Sequence, residues 1–207
     1  MASSELLLAA ALMLGGYLLG SIPFSFLVAR ARGVDLRTVG SGNVGGANVW
    51  RACGFGPFVA AATLDMLKGF IPSLVALRLL AGRPFIVILV GIAAILGHTL
   101  PVFLHFRGGK AVATSCGVLL AIFPLLVPFG VAAWAIAFLI TRISSVASLT
   151  AAIVELLAST TLYFTGRLPL AYALFVWIMA AFVIYLHRMN IQRLLAGTEN
   201  RFEKPWS

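Results

Sequence analysis

The stretch from Gly33 to Arg51 gathers residue types that bind anions. It reads Gly33-Val34-Asp35-Leu36-Arg37, then Gly40-Ser41-Gly42-Asn43-Val44-Gly45-Gly46-Ala47-Asn48, and closes on Arg51. Small residues let a backbone turn so that successive N–H groups converge on a negative charge. Ser41, Asn43 and Asn48 add side-chain donors, and Arg51 adds a cation. A flexible polar linker is the alternative reading, but linkers seldom set so many glycines and amides between fixed arginines. A second stretch, His105-Phe106-Arg107-Gly108-Gly109-Lys110, precedes an apolar segment. Paired glycines before a helix start offer free N–H donors, the positive end of a helix dipole and adjacent cations, which suits a phosphate. The GxxxxGK[ST] spacing of a Walker A loop is absent. A plain Gly-Gly turn flanked by snorkelling basic residues is the competing reading. The third stretch is Tyr185-Leu186-His187-Arg188-Met189-Asn190-Ile191-Gln192-Arg193. On a helix His187 and Asn190 share one face, three residues apart.

Other chemistries are missing. His98, His105 and His187 make no HxxxH pair, and Cys53 and Cys116 have no ligand spacing, so no metal site is expected and both thiols are expected free. There is no GxSxG elbow. No His is followed five residues later by Asp, so the His-x4-Asp site of the common membrane glycerolipid acyltransferases is lacking. Asp65 and Lys68 are i,i+3 neighbours inside an apolar run, where charges are costly unless paired or wet. They read as a structural pair or as the lining of a polar pocket. Glu155 stands mid-run with no evident partner.

The elements that must hold these residues are membrane spans. Of 207 residues, 61% are hydrophobic and only 10% charged, which excludes a soluble enzyme, a disordered chain and a disulfide scaffold. The net charge of +9 comes from basic residues scattered between apolar runs, so topology or small anionic substrates explain it better than nucleic acid. Twelve of the fifteen basic residues are Arg, whose planar fork suits phosphate. Spans are expected from Glu5 to about Ala29, over Gly56–Leu80 and Pro84–Leu104, within Ala111–Ile140, and over Val146–Thr165 and Pro169–Leu186. The first lacks the positive n-region of a signal peptide and is expected to be retained.

Ala111–Ile140 is one long helix or a hairpin broken near Pro124 and Pro128. A hairpin puts Arg30, Arg32, Arg37, Arg51, Arg107, Lys110, Arg142, Arg188, Arg193, Arg201 and Lys204 on one face, and only Arg78, Arg83 and Arg167 on the other. A single helix leaves no bias. The positive-inside rule therefore favours seven transmembrane helices, N-terminus outside and C-terminus cytoplasmic. The expectation is an all-α polytopic membrane protein, one domain over residues 1–207, with all three stretches on the cytoplasmic face.

In this order and between these spans, the stretches resemble the PlsY family of bacterial acyl-phosphate:glycerol-3-phosphate acyltransferases. The likeness also rests on Gly20-Ser21-Ile22-Pro23-Phe24, Leu64-Asp65 with Lys68-Gly69, Gly97-His98, Pro101, and Arg193-Leu194-Leu195 with Glu199. Departures are local: Gly46-Ala47 stands where the family usually has Ala-Thr, Ala111 replaces a usual Gly, and Leu186 and Met189 replace Arg and Glu. The resemblance implies acyl transfer from acyl phosphate to the 1-hydroxyl of glycerol-3-phosphate, giving lysophosphatidic acid and phosphate. This is the first step of phospholipid synthesis. It implies no metal or cofactor, no nucleic acid, contact with membrane lipids, the bacterial cytoplasmic (inner) membrane, and a functional link to the soluble donor-forming enzyme PlsX.

Carried over residue by residue, Ser41, Arg51, Gly108, Gly109 and Lys110 bind phosphate, while Asn43 and Asn48 order the first loop. Ser148, His187 and Asn190 hold the glycerol backbone and reacting hydroxyl, and Asp65, Lys68 and His98 support the pocket. The departing phosphate takes the hydroxyl proton, or His187 does so as a general base, for which an unperturbed imidazole is suited. A phosphate or organophosphate transporter is the rival class. It predicts polar residues near the midplane, often on repeats, whereas here they cluster at one face and no repeat is evident.

Overall fold

Helix α1 (Ser3–Ser21) stops where Pro23 removes a backbone donor, and α2 (Phe24–Arg30) resumes beyond it. The computed structural model describes residues 3–202, so Lys204 of the expected cytoplasmic set lies outside the described residues. The remaining helices are α3 (Gly46–Cys53), α4 (Phe55–Leu79), α5 (Pro84–Thr99), α6 (Val112–Ile122), α7 (Val127–Thr141), α8 (Ser144–Phe164), α9 (Leu170–Leu186) and α10 (Arg188–Leu195). Short 3-10 turns cover Val102–Leu104 and Pro124–Leu126. No strand occurs among the described residues.

The chain falls into two compact units, residues 1–122 and 123–207. In the first, α1 packs on α5 and α4 on α6. Small residues permit this closeness: a Cβ at Gly20 would overlap the Ala94 carbonyl, one at Gly97 that of Tyr17, and one at Gly117 that of Met66. In the second unit α8 packs against both α7 and α9. A Cβ at Gly130 of α7 would overlap the carboxylate of Glu155 on α8, which places that unexplained acid against a glycine of its neighbour.

Five segments are long and apolar enough to cross a membrane: 3–30, α4, α5, 124–141 and α8. The pair α9 and α10, bent by 55° at His187, gives a sixth if the two are one broken span. The ambiguous stretch 111–140 is interrupted at Phe123-Pro124, as its prolines suggest. Its first half, α6, has 11 residues, short of the roughly 20 that a span needs. Seven of its residues, among them Thr114, Gly117 and Val118, are buried, so protein rather than lipid surrounds much of it.

Candidate active site

The first loop is a folded cap. Leu36, Val44 and Val49 are buried with Ala29 of α2 and Ala61 of α4, and Val34 and Val39 pack on the same cluster. The flexible-linker reading fails on this burial. Asn48, in the first turn of α3 and 1% exposed, holds the polar side of the loop. Its Nδ2 donates to the carbonyls of Leu36 and Val39, each at 3.0 Å, and its Oδ1 accepts the Ser41 N–H at 3.1 Å. Asn43 Oδ1 accepts the Gly45 N–H at 3.0 Å, turning the chain into α3. A Cβ at Gly40, whose φ is +56°, would overlap Asn48 Oδ1, so this glycine answers both a conformational and a steric need. Ser41 is exposed, and Arg51 is half-buried in the last turn of α3.

Asp35 anchors the near end of the loop. It accepts the Arg37 backbone N–H at 3.0 Å and Arg37 Nε and Nη2 at 3.0 and 2.7 Å. Those bonds hold its carboxyl down at about 2.

The second loop corrects one expectation. Gly108 donates its N–H to the Thr99 carbonyl and Gly109 to the His98 carbonyl, each at 3.1 Å. The paired glycines are therefore not free anion donors. Their role is close approach: a Cβ at Gly108 would overlap the His98 carbonyl, and one at Gly109 the His98 ring. Half-buried Lys110 follows, and α6 opens two residues later with first-turn N–H groups that have no intrahelical acceptor.

Asp65, Lys68 and His98 meet beneath this loop. Lys68 Nζ lies 2.8 Å from Asp65 Oδ1 and donates at 2.9 Å to the carbonyl of Ile22, in the break between α1 and α2. Ser25 Oγ donates to Asp65 Oδ2 at 2.6 Å, and His98 Nδ1 stands 3.7 Å from Asp65 Oδ1. Asp65, Lys68 and His98 line one small cleft with Ser25, Val44, Gly108 and Gly109. The Asp65–Lys68 pair joins the broken first span and borders this cleft. Val44 and the glycines bring the first and second loops to the same cleft.

In the second unit Ser148 Oγ donates to the Ser144 carbonyl at 2.9 Å and accepts Trp134 Nε1–H at 3.3 Å. His187 is 3% exposed, and its Nδ1 lies 2.8 Å from the Val183 carbonyl. A carbonyl can only accept, so Nδ1 carries hydrogen, and Nε2 is the basic atom of the neutral ring. Asn190 Nδ2 donates to Glu199 Oε1 at 2.5 Å. Ser145 Oγ reaches the same oxygen at 2.8 Å, and Arg193 Nε donates to Oε2 at 2.7 Å. Burial raises the Glu199 pKa, but the bonds from Asn190, Ser145 and Arg193 outweigh it and the net shift is downward. The sequence marks Glu199 without giving it a role. Its only signal is an acid six residues after Arg193, a spacing that suits no helix face.

The family model described as glycerol-3-phosphate acyltransferase matches residues 10–197. The chain belongs to the glycerol-3-phosphate acyltransferase family. A glycerol-3-phosphate acyltransferase of Roseiflexus sp. (strain RS-1) is 60% identical over 194 residues, covering 94% of this chain and 95% of its own. One from Aquifex aeolicus (strain VF5) is 44% identical, with 92% and 97% covered. The crystal structure of PlsY, an integral membrane glycerol 3-phosphate acyltransferase, in its glycerol 3-phosphate form is similar at TM-score 0.86 and 44% identity, covering 94% of this chain and 95% of that one. Its lysophosphatidic acid form is similar at TM-score 0.85 and 43% identity, with the same coverage. The resemblance carried by the three motif stretches thus holds over nearly the whole chain. This member of the family is an integral membrane acyltransferase.

Proposed function

We propose that the protein transfers a fatty acyl group from acyl phosphate to the 1-hydroxyl of glycerol-3-phosphate, releasing lysophosphatidic acid and inorganic phosphate. The observation that carries this reading is the similarity, at TM-score 0.86, to PlsY in its glycerol 3-phosphate form. The same neighbour in its lysophosphatidic acid form supports the product. In the transfer, the acceptor hydroxyl oxygen bonds to the acyl carbonyl carbon, and the carbon–oxygen bond to phosphate breaks. The leaving phosphate takes the hydroxyl proton, so no metal or cofactor is required.

Ser41, Arg51 and Lys110 serve the phosphate, with Asn43 and Asn48 shaping the first loop around it. Gly108 and Gly109 let the second loop fold back onto α5. In the second unit Ser148, His187 and Asn190 serve the glycerol backbone and its hydroxyl. The whole of residues 1–207 works as one acyltransferase domain in the bacterial cytoplasmic (inner) membrane. It crosses seven times with its three polar stretches facing the cytoplasm, where a soluble enzyme such as PlsX supplies the donor.

Purified protein in lipid nanodiscs, given labelled glycerol-3-phosphate, tests this directly. Lysophosphatidic acid is expected with acyl phosphate and not with acyl-CoA or acyl carrier protein. Comparable rates with acyl-CoA overturn the donor assignment.

A further inference from the structure

The Asp65–Lys68 pair sits inside candidate spans, where apolar side chains of the same size pack at lower cost. Its neighbours say what it supports. Asp65 is fixed by Lys68 at 2.8 Å and by Ser25 at 2.6 Å, and Lys68 is tied to the Ile22 carbonyl at 2.9 Å. The carboxylate is therefore a rigid point between α4 and the break in the first span. His98, in the last turn of α5, is nine-tenths buried and turns its Nδ1 toward that carboxylate at 3.7 Å. That nitrogen has no hydrogen-bond partner among the described residues. The other ring nitrogen, Nε2, lies where a Cβ on Gly109 would be. The backbone carbonyls of His98 and Thr99 hold Gly109 and Gly108. Lys110 comes next, followed by Ala111 at φ +65°, a conformation that gives the chain little freedom before α6 begins.

We propose that His98 is a positioning residue for the phosphate loop, a spacer that transmits the place of the buried Asp65–Lys68 pair to Gly109 and Lys110. This rests on the phosphate role given above to Lys110. The ring touches no substrate. It sets the height of the loop over the cleft, and so how well Lys110 meets a bound phosphate. An interaction made equally with substrate and transition state shows in KM rather than in kcat.

The test is a double-mutant cycle of His98→Asn and Gly109→Ala on the full chain in nanodiscs. It is read by inorganic phosphate binding in calorimetry and by KM and kcat for both substrates. Each single variant is expected to weaken phosphate binding and raise the KM of a phosphate-bearing substrate about tenfold, with kcat at saturation within about threefold of wild type. Shortening the ring makes room for the added methyl. The double variant should therefore bind phosphate no worse than Gly109→Ala alone. Losses that multiply overturn the proposal, as does a His98→Asn loss confined to melting temperature. Should His98→Asn not fold, His98→Gln takes its place, with the same result expected and the same results overturning the proposal. The two readings fail separately. Coupled loss of phosphate binding without transfer from acyl phosphate refutes the proposed reaction and leaves the spacer standing, whereas wild-type transfer with uncoupled losses refutes the spacer alone.

Discussion

Asn48 shows how one buried amide fixes a loop that composition alone makes look loose. It uses both hydrogens and one oxygen on three backbone groups from Leu36, Val39 and Ser41. An Asn→Asp change keeps the shape but replaces the two donors with an acceptor facing two carbonyls. Orphaned buried groups cost about 1–3 kcal/mol each. Asn48→Asp is therefore expected to lower the melting temperature and the turnover at least as much as Asn48→Ala. Equal activity of Asn48→Asp and wild type in the nanodisc assay would contradict this account.

His187 poses the second residue-scale question. The Val183 carbonyl fixes its tautomer with Nε2 basic, a form able to accept either a proton or a hydrogen bond. If the leaving phosphate takes the proton, His187→Asn keeps measurable turnover and no ionisation near neutral pH vanishes with the substitution. A general-base histidine requires instead a loss of about 10²–10⁴-fold and disappearance of the acidic limb of the pH–rate profile.

At the scale of elements, Glu199 ties the C-terminal tail to α8 through Ser145 and to α10 through Asn190 and Arg193. Phe202 adds to this tie, donating its N–H to the Arg142 carbonyl at 2.9 Å and meeting Phe138 of α7 edge-on. A carboxyl whose folded pKa is lowered stabilises fully above its unfolded value, near 4.3, and the contribution disappears as pH falls through the folded value. Glu199→Gln should therefore melt lower than wild type at pH 7, and the difference should shrink as the pH is brought below about 4. A difference independent of pH would mean that the charge of Glu199 is not what holds the tail.

The same elements show what the sequence reveals and what it hides. Apolar runs and the proline at 124 mark the helices and the break in 111–140, because span length and a missing N–H are local properties. The break at Pro23, however, falls within what reads as one span, and Pro72 breaks nothing. The motif marks Asn48 only as a donor for an anion, whereas both of its hydrogens go to the Leu36 and Val39 carbonyls, and only the family resemblance implies its loop-ordering place. The Gly108–Gly109 turn is legible only as a turn. Whether its N–H groups face a ligand or a carbonyl depends on α5 folding beneath it, a contact that no local pattern encodes. The grip of Glu199 on Asn190 is hidden for the same reason, since it spans nine residues across a helix end. The length of α6 is hidden too, because burial by α4 and α5, rather than its own apolar run, lets a short helix persist.

Over the whole molecule acids are scarce, and four of the five among the described residues are committed to ion pairs. Glu5 pairs with Arg83 at 3.3 Å, Asp35 with Arg37 at 2.7 Å, Asp65 with Lys68 at 2.8 Å and Glu199 with Arg193 at 2.7 Å. The resulting net charge of +9 suits a positive-inside topology and anionic substrates. Two crossings within 111–140 divide the basic residues eleven to three, whereas a single crossing there erases the asymmetry. The break at Phe123-Pro124 supports two crossings. With Cys53 and Cys116 replaced by Ala, Ala31→Cys and Thr165→Cys each put one thiol at an exposed position next to a span. Seven crossings place them on opposite sides, so a membrane-impermeant maleimide added to sealed cells should label Thr165→Cys at once and Ala31→Cys only after the membrane is opened. If α6 does not cross, the number of crossings between the two positions changes by one. Both thiols would then be shielded until lysis, a result that overturns the seven-span reading.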